Sequence, residues 1–175
     1  PSASWGGTGG GGRWTATLRR TVRRFRKPAP DAVLSFVYEP PTRSGHEDGV
    51  VRVGARVFRS DSYYFIDDHP EGVPADPAAS MRAMLGHWRR AVDACAAGSV
   101  THLPHDFSDE YTRWIRVRGL PDDQLELASG WAAFEGWAFS PSHYPDALRD
   151  RPDALDDLTI DDHPPIVAGR AAVLE

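Results

Sequence analysis

The chain has 175 residues, 41% of them apolar, with 20 basic and 25 acidic side chains. Its lone cysteine, Cys95, excludes an internal disulfide, and no run approaches the roughly 20 apolar residues that span a bilayer. The only lysine is Lys27 and asparagine is absent, which removes a P-loop, a Schiff-base lysine in the body, N-glycosylation and a Cys-His-Asn triad.

Residues 1–12 are rich in Gly and Ser and read as a disordered lead. In residues 13–27, Trp14, Leu18, Val22 and Phe25 recur near helical spacing among arginines, the pattern of a short basic amphipathic helix ended by Pro28 and Pro30. Such an arm is a frayed tail, a helix docked on the body, or a contact to anionic membrane or nucleic acid. Arg23-Arg24 is followed by no apolar run, which argues against twin-arginine export and for a cytoplasmic protein. The charge is divided by position. The first 27 residues carry seven basic residues and no acid; the other 148 carry 13 arginines against 25 acids, a formal balance of −12. An acidic body of this kind repels nucleic acid and attracts cationic partners. The division into an arm, 1–30, and a single domain, 31–175, follows.

Ala32–Tyr38 reads as a strand. Gly49–Phe58 alternates, with Val51, Val53, Ala55 and Val57 opposite Arg52 and Arg56, and Tyr63–Ile66 reads as a further short strand. The clearest helix follows over residues 77–97. Asp76 suits the N-cap, Pro77 the first helical position and Gly98 the stop. Met81, Met84, Leu85, Trp88, Val92 and Cys95 make its apolar stripe, so Cys95 reads as a buried small residue. A loop containing His102, His105 and Asp106 leads to an alternating strand, Tyr111–Val117. The turn Gly119–Asp123 and the run Gln124–Ser129 complete a hairpin. Trp131–Phe139 is aromatic and interrupted by Gly136, Pro141–Asp157 reads as loop and short helix, and 160–175 as a tail with a small strand or helical turn. The order β-β-β-α-β-β-β predicts an α+β fold: a mostly antiparallel sheet of about five to six strands with the helix packed on one face.

Two groups of residues invite chemistry. Ile-Asp-Asp-His-Pro occurs at 66–70 and again at 160–164, and His102-Leu-Pro-His105-Asp106 lies between them. Convergence of Asp68, His69, His102, His105, Asp162 and His163 would make a site for zinc or a similar divalent metal able to activate water. Otherwise these are solvated turns, and no cofactor is expected. The second group is the acids, including Asp106, Asp109, Glu110, Asp122 and Asp123, with further aspartates at 146, 150, 153, 156 and 157. Trp131, Phe134, Trp137, Phe139 and Tyr144 supply aromatics for a core or for a binding face.

In strand order, single helix, size and acidity, residues 32–140 resemble the small acidic α+β immunity proteins of bacterial toxin systems. Arg, Ala, Asp, Gly and Pro richness suggests a GC-rich, actinobacterial genome. The resemblance implies a non-catalytic module that neutralises a cationic toxin domain with acids and aromatics. Asp106, Asp109, Glu110, Asp122 and Asp123 are then the candidate partner contacts, with Trp137 as anchor. The rival readings are a small metal-dependent hydrolase built on the His/Asp loops and a regulatory module acting through the basic arm.

Overall fold

The computed structural model describes residues 32–39, 48–65, 76–108, 110–136 and 140–173. Within them the chain is α+β, with two antiparallel sheets and one main helix. The first sheet is a meander of β1 (Leu34–Tyr38), β2 (Gly49–Val53) and β3 (Arg56–Ser60), each paired antiparallel to the next. The alternation expected to run unbroken through Gly49–Phe58 is a hairpin, because Gly54 takes φ +59° at the first position of a two-residue turn. Positive φ at that position is what a type II′ turn needs and what Gly supplies without steric cost. Ser62–Phe65 is a 3-10 turn where a strand was expected, and it places Phe65 in the core.

Helix α1 (Pro77–Ala94) starts as the sequence indicates. The Asp76 carboxylate accepts a hydrogen bond from the Ala79 amide, and Pro77 occupies the first turn. Met81, Met84, Trp88 and Val92 are buried along one stripe. The helix ends three residues before the predicted limit. Arg170, from the far end of the chain, donates to the carbonyls of Val92, Asp93 and Cys95 at the helix end, the first of which also accepts from the Cys95 amide. Its guanidinium also meets Asp123 at 2.6 Å. Cys95 is buried, as its place on the stripe predicts, with its thiol near the carbonyls of Ser99 and Val117.

The second sheet is built on β4 (Val100–Phe107), β5 (Thr112–Gly119) and β6 (Gln124–Ala132). Two short strands, β7 (Thr159–Ile160) and β8 (Ile166–Gly169), pair with different ends of β6. Helix α2 (Tyr144–Asp150) lies between β6 and β7. The hairpin β5–β6 turns at Pro121–Gln124 with both Asp122 and Asp123 at positive φ, the type I′ pattern that aspartate tolerates. Gly119 is required next to that turn, since a Cβ there would lie 2.0 Å from the Ala96 carbonyl oxygen.

Alternation along β5 buries residues of both parities. On one face, Phe107, Thr112, Trp114 and Ala132 are buried while Val100, Arg118 and Gln124 are exposed. On the other, Leu103, Ile115, Val117, Leu125 and Leu127 are buried while Asp106, Arg113 and Trp131 are at least partly open. Each face is covered at one end only. The aromatic chain Phe36–Phe65–Phe107 joins the two sheets, with Trp88 of α1 at 6.2 Å from Phe36. Trp114 meets Phe134 and Tyr144 on the covered end of its face.

Candidate functional site

The segment holding His102, His105 and Asp106 is an edge strand, where a loop was expected. Its register slips between Pro104 and Asp106, leaving His105 as the extra residue of a β-bulge. Pro104 is tolerated there because an edge strand carries amides that need no ladder partner. The bulge places consecutive ligand-type side chains in different surroundings. His102 is opposite Arg116, and burial, reinforced by that cation, lowers its pKa. His105 is fully buried, 5.1 Å from the Phe58 ring, and neither ring nitrogen has a hydrogen-bond partner. Burial, with Arg113 nearby, pushes its pKa down to about 3, so it is a neutral core group. Asp106 is opposite Arg113, on the face away from His102.

Asp162 and His163 are exposed after β7. Asp68 and His69 lie outside the described residues. Among the described residues, no three His, Cys, Asp or Glu side chains gather where an ion would fit.

The predicted acids do not form one patch. Asp106 and Glu110 flank the start of β5, while Asp122 and Asp123 are at the hairpin tip beyond its end, roughly 25 Å away at about 3.3 Å per residue. Asp123 is also committed to Arg170. Asp109 and Trp137 lie outside the described residues. Of the aromatics proposed for a binding face, Phe134 and Tyr144 are core, whereas Trp131 is 41% exposed.

Trp131 belongs to a row that the register defines. Asp106 on β4, Arg113 on β5, Trp131 on β6 and Thr159 on β7 are direct cross-strand partners in sequence across the sheet, so all four project from one face. In the next row, Asp161 receives the Ser129 hydroxyl at 2.8 Å and pairs diagonally with Arg113 at 3.2 Å. Arg113 therefore leans toward β7, and Asp106 keeps no ion pair within 4 Å among the described residues. Burial raises the Asp106 pKa to about 6, Asp61 adds to the rise, and Arg113 and the Phe107 amide oppose it.

Beside this corner runs the connection from α2 to β7. Residues 144–163 contain seven aspartates and two arginines, a formal balance of −5. Asp146, Asp150, Asp153, Asp156, Asp157 and Asp162 are exposed. The Asp157 carboxylate accepts from the Ala133 amide, and the Asp161 amide donates to Ser129, which fixes the segment against the Trp131 end of β6. Arg149 engages Asp146 and Asp150, and Arg151 lies over the Phe134 ring.

No protein-family model, curated protein or solved structure matches this chain.

The corner thus joins an exposed indole, a carboxylate with no ion pair within 4 Å among the described residues, an Arg113–Asp161 ion pair and a bordering run of solvated acids. Chemically it is suited to a cationic surface. Arg113, Ser129 and Asp161 were not candidates in the sequence, because only the strand register brings them to Trp131. No helix among the described residues is long and apolar enough to cross a membrane.

Proposed function

We propose that this chain is a non-catalytic protein-binding module of the immunity type. It acts in the cytoplasm and neutralises a cationic toxin domain by covering that domain's basic cleft. The observation that carries the reading is the exposed aspartate run of residues 144–163 fastened beside the uncovered indole of Trp131. An acidic field accelerates encounter with a basic protein, and a desolvated aromatic anchor supplies affinity that the charges alone do not. The acid-rich body outside the arm supports the same reading, as does the α+β layout with one main helix.

The reading relocates the binding surface. Asp106 stays within it, Asp122 and Asp123 fall outside it, and Trp131 takes the anchoring role first assigned to Trp137. The test is co-expression with the toxin domain encoded beside this gene. The reading expects a one-to-one complex, rescue of growth, and an association rate that falls steeply between low and physiological salt. A gene neighbourhood that holds a metabolic operon and no toxin, or a toxin that stays active in its presence, contradicts it.

A further inference from the structure

At this corner of the second sheet the exposed indole of Trp131 shares a row with Asp106, which has no ion pair within 4 Å among the described residues. Its charges decide what fits. Arg113 is held by Asp161, and Asp161 in turn by Ser129, so that pair is neutral as a unit. Asp106 has no ion pair within 4 Å among the described residues; its cross-strand neighbour Arg113 offsets its charge in part, and Asp61 at the end of β3 adds to the negative potential there. Trp131 is two strands away in the same row, about 10 Å at roughly 4.8 Å per strand. An indole face attracts a guanidinium, which is planar and weakly hydrated and so loses little on stacking. A carboxylate already stripped of much of its water binds an incoming cation more strongly than a solvated one does.

We infer that the Asp106–Arg113–Trp131 corner is the docking surface for a basic segment of a protein partner, which presents two arginines about 10 Å apart, one stacked on Trp131 and one paired with Asp106. This inference rests on the proposed function and adds the residue-level recognition to it. The aspartates of residues 144–163 steer the partner, whereas the corner holds it.

The probe is the peptide acetyl-Arg-Gly-Gly-Arg-amide. Its two arginine Cα atoms are about 10 Å apart when extended, at roughly 3.4 Å per residue, and the two glycines between them leave the backbone free to turn both side chains to one face. It is titrated into the full ¹⁵N-labelled chain and followed by NMR. The Trp131 indole N–H signal is assigned by its loss in Trp131→Phe. The expected result is a saturable shift of that signal and of amides in β4, β5 and β6. Weakening should be at least fivefold in Asp106→Asn and in Trp131→Ala, with no change in Asp122→Lys at the far hairpin tip. The dispersion of the remaining amide signals reports that each variant is folded. Shifts confined to residues 144–163 and unaltered by Asp106→Asn or Trp131→Ala overturn the corner while leaving the cationic-partner reading standing. Shifts in neither region overturn the corner as well, and the co-expression test then decides the reading on its own.

Discussion

Replacing Asp106 by Asn should stabilise the protein while weakening its binding. The substitution keeps the shape of the side chain and removes the charge. In the fold, burial disfavours the ionised carboxylate and its pKa rises from 3.8 to about 6, with Asp61 adding to the rise and Arg113 only partly offsetting it. A difference of roughly two pH units, at about 1.4 kcal/mol each, sets an upper bound of about 3 kcal/mol. Between about pH 4 and pH 6 the native state holds a proton that the unfolded chain has released. This group's contribution to stability therefore falls as pH rises through that window, and the full cost is present above it. The variant should exceed the parent at pH 7.5 by up to about 3 kcal/mol, and the gap should close below about pH 4. Urea unfolding followed by tryptophan fluorescence at both pH values measures this, with an unchanged m-value as the check that the denatured state is the same. Equal or lower stability of the variant at pH 7.5 refutes the reasoning, since it would mean that Asp106 is compensated in the fold. A residue kept at a cost to stability is the pattern expected of a binding group.

Arg170→Ala should cost about 2–3 kcal/mol, because it strips charge-assisted hydrogen bonds from the last carbonyls of α1; differential scanning calorimetry should record a Tm lower by roughly 4–12 °C. Asp123→Asn, which removes only the mostly exposed partner of that guanidinium, should cost less than about 1 kcal/mol, and equal losses in the two variants would contradict the capping role. His105→Leu should flatten the acid limb of stability. His105 stays neutral in the fold down to about pH 3 while the unfolded chain takes up a proton near pH 6.5, so its contribution is lost as pH falls through that interval. Acid titration by circular dichroism of parent and variant measures the difference, and superimposable curves would count against a neutral buried imidazole.

The helix was legible because its signals are local. Asp76, Pro77 and the stripe from Met81 to Val92 each act within a few residues, and all point to the same element. The β5–β6 hairpin was legible for the same reason. The end of α1 was not, since the side chain that takes its carbonyls lies some 75 residues further on in Arg170. The strand β4 was hidden by its composition: His, Pro and Asp suggest a loop, but an edge strand accepts them once a bulge absorbs the extra residue. That bulge also decides which candidates share a face. It places Asp106 in line with Arg113 and Trp131, and His102 on the opposite side. Asp106 and Trp131 both stand out in the sequence, but the row connecting them is a property of register, which periodicity alone does not reveal. Phe134 and Tyr144 looked equivalent to Trp131 in the sequence and differ from it because Trp114 packs against both, with His87 against Tyr144 and Arg151 over Phe134.

The most direct measurement is the affinity of the full chain for the neighbour-encoded toxin domain. It should be compared with that of a variant carrying Asp→Asn at 146, 150, 153, 156 and 157 together with Trp131→Ala, by titration calorimetry at two salt concentrations. The account predicts a loss of at least 100-fold, a weaker salt dependence and unchanged folding. Affinity that survives within about threefold would contradict it, because the partner would then be held by some other surface.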